Sequence, residues 1–266
     1  MHRHHHALAA FASGLGLLLS ANAMAADDCR AQSGQRITPV VELYTSEGCS
    51  SCPPADKWLS RFKSSAGGKV DGKTGDANPV VQAFHVGYWD YIGWVDRFAT
   101  PAHTTRQRQV AAQNRQSSIY TPQAVLDGRD WRDWQRSEPT RMGAVPEPAR
   151  VGISLRQVGR DQFEALVTPA AGHSGAWAAY WTLTEDGHSS KVKSGENAGE
   201  FLQHDFVVRQ YTPAGDFSAA SQNPAAQKLN WRSIAATPGH PRRINLVVYE
   251  PTTGKTLQAL SMACNS

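Results

Sequence analysis

Two closely spaced cysteines, Cys49 and Cys52, carry the clearest chemistry in the sequence. A Cys-x-x-Cys pair can open and close as a disulfide, and the thiolate form of a cysteine is the nucleophile in thiol–disulfide exchange. The sequence therefore predicts Cys49 as the attacking cysteine and Cys52 as the cysteine that resolves a mixed disulfide.

A metal site is the competing chemistry for this pair. Zinc normally needs two more thiolate or imidazole ligands at comparable spacing, and the sequence has no second pair. His85 is the only histidine that we consider as a third ligand, and an ordinary histidine at a strand end is the favoured interpretation. We predict no metal site, with a soft-metal carrier, such as one for copper, as an alternative.

A strand followed by a helix positions the two cysteines. Residues 38–46 are rich in Val, Thr and Tyr and predict a strand. Pro53 and Pro54 suit the first turn of a helix, where a missing amide proton costs little. The helix N-terminus carries a partial positive charge, which favours a thiolate at Cys49.

The next segments continue the alternation of strand and helix. Residues 79–86 predict a strand, and Thr100-Pro101 predicts an N-cap and first turn of a helix that runs to about Gln116. A short strand at 123–126 is followed by Asp127-Gly128, a hairpin signal. This order indicates an α/β domain.

The C-terminal half has a different character. After a Pro-rich linker, alternating apolar runs separated by turn residues predict an antiparallel β domain, most simply a small sandwich. The predicted strands are 151–158, 162–167, 177–184, 206–211 and 243–249.

Several of these motifs together resemble a known family. The stretch 41–56 around the cysteines, the aromatic block 85–94, Tyr120-Thr121-Pro122-Gln123 and Gly195-Glu196-Asn197 are similar to secreted bacterial thioredoxin-like proteins catalogued as domain of unknown function 1223. With this resemblance, the predicted fold class is α/β: a thioredoxin-like domain over residues 36–143, followed by a smaller antiparallel β-sandwich-like domain over residues 150–264.

The thioredoxin resemblance adds further candidate residues. Thioredoxin folds place a cis-proline facing the disulfide, which implies that role for Pro122, with a trans-proline at a strand start as the alternative. Thr121, Tyr88 and Trp89 are candidate substrate-binding residues, although the aromatic block can instead cover the interface between the two domains.

Proton transfer is the point at which the chain departs from ordinary thioredoxins. Those carry a buried acid six residues before the first cysteine, where this chain has Leu43. Glu42 is adjacent, but successive strand residues face opposite sides, so it is not expected to substitute. Glu47, His85 and Asp90 remain as candidates, for each of which a structural or solvated role is favoured.

The first 25 residues predict a signal peptide. Arg3 precedes an apolar stretch at 7–20, and Ala23-Met24-Ala25 fits a cleavage site. The apolar stretch is shorter than the roughly 20 residues that span a bilayer, so a membrane anchor is the weaker alternative. We expect a periplasmic or secreted protein without a membrane span in its mature form.

Export places the remaining cysteines in an oxidising compartment, where disulfides form. Cys29 follows the predicted cleavage site and Cys264 lies near the end of the chain, so we predict that they form a structural disulfide. The alternative is that both are buried or free thiols.

The composition argues against one class of function, nucleic-acid binding. The 266-residue chain has a net charge of +4 without a basic stripe, which argues against a nucleic-acid partner, and no cofactor is implied. The predicted function is a thiol–disulfide oxidoreductase acting on exported protein thiols or disulfides, with a redox partner that recharges the pair. The alternatives are a binding module with a structural disulfide and the metal carrier.

Overall fold

The computed structural model describes residues 29–66, 78–139, 142, 145–217 and 225–263, together with Met1. The predicted signal peptide lies almost wholly outside the described residues. The α-helices are α1 (Pro53–Ser60), α2 (Phe62–Ala66) and α3 (Pro101–Gln113), with short 3-10 helices at Asp90–Ile92 and Trp134–Arg136. The strands are β1 (Arg30–Gln32), β2 (Val40–Thr45), β3 (Val80–His85), β4 (Gln123–Leu126), β5 (Arg129–Asp130), β6 (Val151–Gly159), β7 (Gln162–Pro169), β8 (Trp177–Glu185), β9 (His188–Lys191), β10 (Phe201–His204), β11 (Val207–Phe217), β12 (Gln227–Arg232), β13 (Arg242–Tyr249) and β14 (Thr256–Met262).

One large mixed sheet organises the molecule. Its eight strands run in the order β14-β13-β8-β11-β3-β2-β4-β5. Strand β3 pairs in parallel with both β2 and β11, and the other neighbours are antiparallel. A four-stranded sheet, β1-β6-β7-β12, and a two-stranded sheet, β10-β9, complete the strands.

The predicted fold class is wrong. Among the described residues 42% lie in strands and 15% in helices, distributed over several sheets, so the fold is mostly β and is not a thioredoxin-like α/β fold. Strand β11 comes from the C-terminal half, yet Val207 pairs with Ala83 of β3. The two halves of the chain therefore share one sheet, whereas the sequence indicated an α/β domain followed by a separate β domain.

Strand β2 is buried on both faces, and its alternating side chains separate two cores. Leu43 faces α1 and packs in a cluster with Trp58 and Phe62. Tyr44 faces the other way and packs with Phe84 and with Val110 of α3. Burying both faces fixes the end of β2, from which the Cys49 loop departs.

A third core lies between the four-stranded sheet and strands β8, β13 and β14. Alternate residues of β6 and β7, such as Leu155 and Phe163, meet Trp181, Leu246 and Leu260 across this layer. The predicted strands of the C-terminal half are thus present, with ends that differ by a few residues. They pack as a sandwich in which one face belongs to the large sheet.

Candidate functional site

The two cysteines form a disulfide at the junction of β2 and α1. Cys52 is the residue that precedes the first turn of α1, Pro53 and Pro54 begin the helix, and the Cα atoms of the two cysteines are 5.4 Å apart. Both cysteines are buried, whereas Ser50 and Ser51 between them are exposed. The predicted pairing of Cys49 with Cys52 is confirmed.

A loop from the distant hairpin of β9 and β10 holds the disulfide loop in place. The amide of Asn197 donates hydrogen bonds to the carbonyl oxygens of Glu47 and Cys49, at 2.8 and 3.0 Å. The carboxylate of Glu196 accepts from the backbone N–H of Ser50 at 3.0 Å. We call Glu196 and Asn197 the clamp; the sequence showed these residues only as part of the family resemblance.

Removing the clamp should make the disulfide easier to reduce. Asn197→Ala deletes two hydrogen bonds to the loop, worth roughly 2 kcal/mol together, which corresponds to about a 30-fold increase in the open population. We expect dithiothreitol to reduce the Cys49–Cys52 disulfide about 30-fold faster in this variant, measured by alkylation and mass spectrometry.

Asn114→Ala is a matched control for this experiment. The amide of Asn114 also donates to two backbone carbonyl oxygens, those of Val110 and Gly128, but Asn114 caps the C-terminus of α3 and is not part of the clamp. Equal acceleration in the two variants would show that global loosening, and not the clamp, controls access to the disulfide.

The Thr121–Pro122 peptide bond is cis, as predicted for Pro122. It lies at the start of β4, which pairs with β2 in a register that sets Gln123 opposite Tyr44. Continuing this antiparallel register places Pro122 beside the end of β2, where the Cys49 loop begins. The cis peptide and the disulfide therefore lie at the same edge of the sheet.

Trp89 links this peptide to the disulfide loop. Its indole N–H donates to the hydroxyl of Thr121 at 2.7 Å. Its Cβ lies 2.9 Å from the position that a Cβ on Gly48 would occupy, so only glycine fits beside it.

The other members of the aromatic block differ in exposure and contacts. Tyr88 is partly buried and Tyr91 is exposed. The indole N–H of Trp94 donates to Glu47 at 2.7 Å. Trp89 and Trp94 therefore each form a hydrogen bond to a polar side chain at the site, to Thr121 and to Glu47.

Five ionisable side chains are buried together, and two of them, Glu47 and Asp56, flank the disulfide loop in the chain. His85, at the end of β3, contacts Asp96 through Nδ1 and Oδ2 at 2.7 Å. His204, at the end of β10, lies 3.2 Å from Glu47 through Nε2 and 3.7 Å from Asp56 of α1 through Nδ1. The rings of His85 and His204 meet edge to face, with centroids 4.8 Å apart. We call these five residues the acid–histidine cluster.

The cluster shifts the titration of its members. Burial is the largest single influence on His85 and lowers its pKa, but the charge and hydrogen bond of Asp96, together with Asp56 and Glu47, give a net raising. For Asp96, burial raises the pKa, but His85 and the backbone N–H groups of Glu47 and Phe98 give a net lowering. Burial raises the pKa of Asp56. For Glu47, burial raises the pKa, and contacts led by His204 give a net lowering. The His85–Asp96 contact therefore favours the charged form of both groups, whereas burial disfavours the charged form of Asp56.

Of the three proton-handling candidates predicted from the sequence, the structure buries two in the cluster, Glu47 and His85. Asp90 lies at its edge and accepts from the backbone N–H of Asp96 at 3.1 Å. Sequence reasoning missed Asp56, Asp96 and His204. Asp56 stood next to the cysteine motif as a clue, but nothing in the sequence pointed to His204, which is far away along the chain.

Glu42 takes no part in this cluster, because it lies on the opposite face of β2 from Leu43. Its buried carboxylate accepts from Arg106 of α3 at 2.7 Å and from the hydroxyls of Tyr44 and Tyr180 at 2.5 and 2.7 Å. Burial is the largest single influence and raises the pKa of Glu42, but the charge and hydrogen bond of Arg106, together with the hydroxyls of Tyr44 and Tyr180, give a net lowering. Glu42 and Arg106 form a buried structural ion pair.

One end of the second predicted disulfide, Cys29, lies within the described residues. Cys29 lies directly before β1, and Cys264 lies outside the described residues, so the Cys29–Cys264 bridge stays a prediction.

In the described part of the chain, no group of three or more His, Cys, Asp or Glu side chains is placed to hold a metal ion. No helix among the described residues is long and apolar enough to cross a membrane.

The predicted family is confirmed by comparison with family models. Residues 40–249 match the model described as "Protein of unknown function (DUF1223)", and the chain belongs to this family. The match extends from β2 to β13 and so includes the disulfide, the cis peptide and the clamp. No curated protein matches the chain.

Two solved structures are similar to this chain. One is the crystal structure of protein AGR_C_4864 from Agrobacterium tumefaciens, with 21% identity over 88% of this chain and 97% of that one, and a TM-score of 0.60. The other is HBP35 of Porphyromonas gingivalis, with 11% identity over 86% of this chain and 76% of that one, and a TM-score of 0.52. At these identities the likeness concerns the fold alone.

Proposed function

We propose that this protein is a thiol–disulfide oxidoreductase that uses Cys49 and Cys52. The observation that carries the proposal is the burial of the acid–histidine cluster, whose members Glu47 and Asp56 flank the cysteine loop in the chain, next to a disulfide at a helix N-terminus. Burying several ionisable groups opposes stability, and perturbed titratable groups gather at functional sites. A disulfide with a purely structural role has no need of such a cluster.

The short spacing of the cysteines also argues for a redox role. In the chain-entropy model a disulfide stabilises a fold by restricting the unfolded chain, and the effect grows with loop length. Cys49 and Cys52 are separated by only three positions. The model then gives roughly 2 kcal/mol, against about 3 kcal/mol for a 15-residue loop.

The proposed roles follow from position. Reduced Cys49 lies before the N-terminus of α1, whose partial positive charge stabilises a thiolate, and attacks a disulfide of the partner. Cys52 then attacks the sulfur of Cys49, re-forms the Cys49–Cys52 disulfide and releases the partner. Pro122, Thr121, Tyr88 and Trp89 are proposed to contact the partner chain, since they lie at or near the same edge of the sheet.

Access to the sulfur atoms requires a movement of the loop. Both cysteines are buried in the oxidised protein, and the clamp fastens the loop between them. We propose that partners engage the exposed Ser50 and Ser51 and that the clamp opens. The partners are proposed to be exported proteins, together with a redox protein that recharges the pair, in the periplasm or outside the cell.

Complete burial of the disulfide also favours a second candidate, a binding module in which the pair is a permanent structural disulfide. The two functions differ in what Cys49 does once Cys52 is removed. An exchange enzyme then accumulates mixed disulfides, because nothing resolves the adduct at Cys49. A structural pair leaves a thiol with no defined partners.

The Cys52→Ala variant tests this difference. We expect it to carry discrete adducts when it is isolated from its native compartment and separated on non-reducing gels. The Cys49→Ala/Cys52→Ala variant is the control and should carry none. If Cys52→Ala carries no adducts and the wild-type protein neither reduces insulin nor oxidises a reduced test protein, the binding module is the better description.

A further inference from the structure

Asp56 is the member of the acid–histidine cluster that lies on α1, the helix that begins directly after the disulfide. It lies one turn after Cys52 on α1, and its backbone N–H donates to the carbonyl oxygen of Cys52 at 3.1 Å. Residues four positions apart lie on the same helix face, and helical side chains lean toward the N-terminus. The carboxyl group of Asp56 is therefore directed toward the turn that begins at Cys52.

Asp56 contacts the rest of the cluster through His204. His204, which is 2% exposed, lies between it and Glu47, at 3.7 Å from the former and 3.2 Å from the latter. Among the described residues, neither ring nitrogen of His204 has a partner in hydrogen-bonding geometry. His204 therefore bridges the carboxyl groups of Asp56 and Glu47 within the cluster.

A cavity connects Asp56 to the outside. Its volume is about 230 Å³, and it lies between α1 and the strand β10. Its lining includes Pro53, Asp56, Lys57, Ser60, Phe201 and Asp205. Asp56 is the only one of the five cluster residues in this lining among the described part of the chain, so it is the member through which a proton can reach solvent.

We propose that Asp56 is the proton acceptor for the thiol of Cys52 when the mixed disulfide is resolved, an inference that rests on the proposed function. The Asp56 carboxylate takes the proton from Cys52, and the resulting thiolate attacks the sulfur of Cys49. The Cys49–Cys52 bond forms as the bond between Cys49 and the partner breaks. The partner sulfur leaves as a thiolate, so the Cys pair is oxidised by two electrons and the partner disulfide is reduced.

The charges around Asp56 agree with this role. The groups that act on it from the neighbouring elements are His204, His85, Asp96 and the hydroxyl of Thr45. Burial is the largest influence and raises the pKa of Asp56 above its ordinary value, while the two histidines oppose it. A raised pKa brings the carboxyl group closer to that of a thiol, which favours transfer of the proton between them.

Reaction with Ellman's reagent separates the two chemical steps. Attack of reduced Cys49 on the reagent releases one thionitrobenzoate, and attack of Cys52 on the adduct releases a second. In Asp56→Asn we expect the first phase to be unchanged and the second to be about 100-fold slower at neutral pH, since proton transfer by a positioned group contributes this much or more. Above the pKa of a free thiol, about 8.5, the two proteins should converge.

Asp205→Asn is the matched control, because Asp205 lines the same cavity but pairs with Lys63 and with the backbone of Gly187. It should leave both phases unchanged. An unchanged second phase in Asp56→Asn overturns the inference and leaves the proposed function in place, whereas release of no thionitrobenzoate from reduced wild-type protein overturns the proposed function itself.

The wild-type protein keeps the inference testable if Asp56→Asn does not fold, as judged by circular dichroism. Its second phase should slow on acidification with a midpoint well below that of a free thiol, as Asp56 becomes protonated. A second phase that titrates only near the thiol pKa of about 8.5 would contradict a role for Asp56.

Discussion

Cys49→Ser is expected to abolish exchange, with a loss of at least about 1,000-fold in the reduction of a protein disulfide. The hydroxyl of serine is a far weaker nucleophile than a thiolate, and Cys52 alone cannot re-form the intramolecular disulfide that releases the partner. The measurement is the rate of insulin reduction with dithiothreitol as the electron source, compared with the uncatalysed rate.

The stability of the same variant separates the two candidate functions. Loss of a disulfide between cysteines three positions apart should lower the free energy of unfolding by only roughly 2 kcal/mol. A denaturant titration of oxidised wild type and Cys49→Ser measures this difference. A loss of 5 kcal/mol or more, with no exchange activity in the wild type, would show that the disulfide serves the fold.

Arg106→Met is expected to give the largest loss of stability, about 3–5 kcal/mol, because it leaves the carboxylate of Glu42 buried without a counter-charge. Arg106 and Glu42 are each 2% exposed, and Tyr44 and Tyr180 bind the same carboxylate. Urea or guanidinium unfolding of the variant measures the difference.

The control is an exposed pair of the same kind. The Arg156 guanidinium lies 2.6 Å from Glu164, but it is more than half exposed, so Arg156→Met should change stability by less than about 1 kcal/mol. Replacing both members of the buried pair, in Glu42→Leu/Arg106→Met, should recover much of the loss. Equal effects of Arg106→Met and Arg156→Met would contradict the assignment.

The buried pair also sets an expected pH dependence. The pKa of Glu42 is lowered in the folded protein, so its contribution is fully present above the ordinary value of 4.5 and is lost as the pH falls through the lower folded pKa. Glu42→Gln should show a weaker loss of stability between pH 5 and acid than wild type, after both curves are scaled to their values at neutral pH. Parallel curves would contradict the assigned shift.

Local features of the site could be predicted because they depend on short stretches of sequence. The strand before the cysteines, the prolines at the start of α1, and Thr100 as the N-cap of α3 all follow from local propensity. The Asp127-Gly128 turn has positive φ angles of 49° and 79°, which joins β4 and β5 as a tight hairpin.

The sheet topology and the remaining site residues depend on contacts between distant parts of the chain. The sequence did not show that β11 adds to β3, because strand pairing through a single parallel bridge at Val207 leaves no local pattern. The same holds for His204 and Asn197, which reach the cysteine loop only because the β9–β10 hairpin packs against α1. The predicted α/β class failed for this reason, although the local strand and helix assignments were mostly right.

The reduction potential of the Cys49–Cys52 pair tests the central claim most directly. The protein is equilibrated in glutathione or dithiothreitol buffers of known potential, trapped by alkylation, and the peptide that contains both cysteines is quantified by mass spectrometry. A redox-active pair should titrate reversibly between about −270 and −120 mV, the range of known dithiol exchange proteins. A potential below about −300 mV, typical of structural disulfides, would contradict the account.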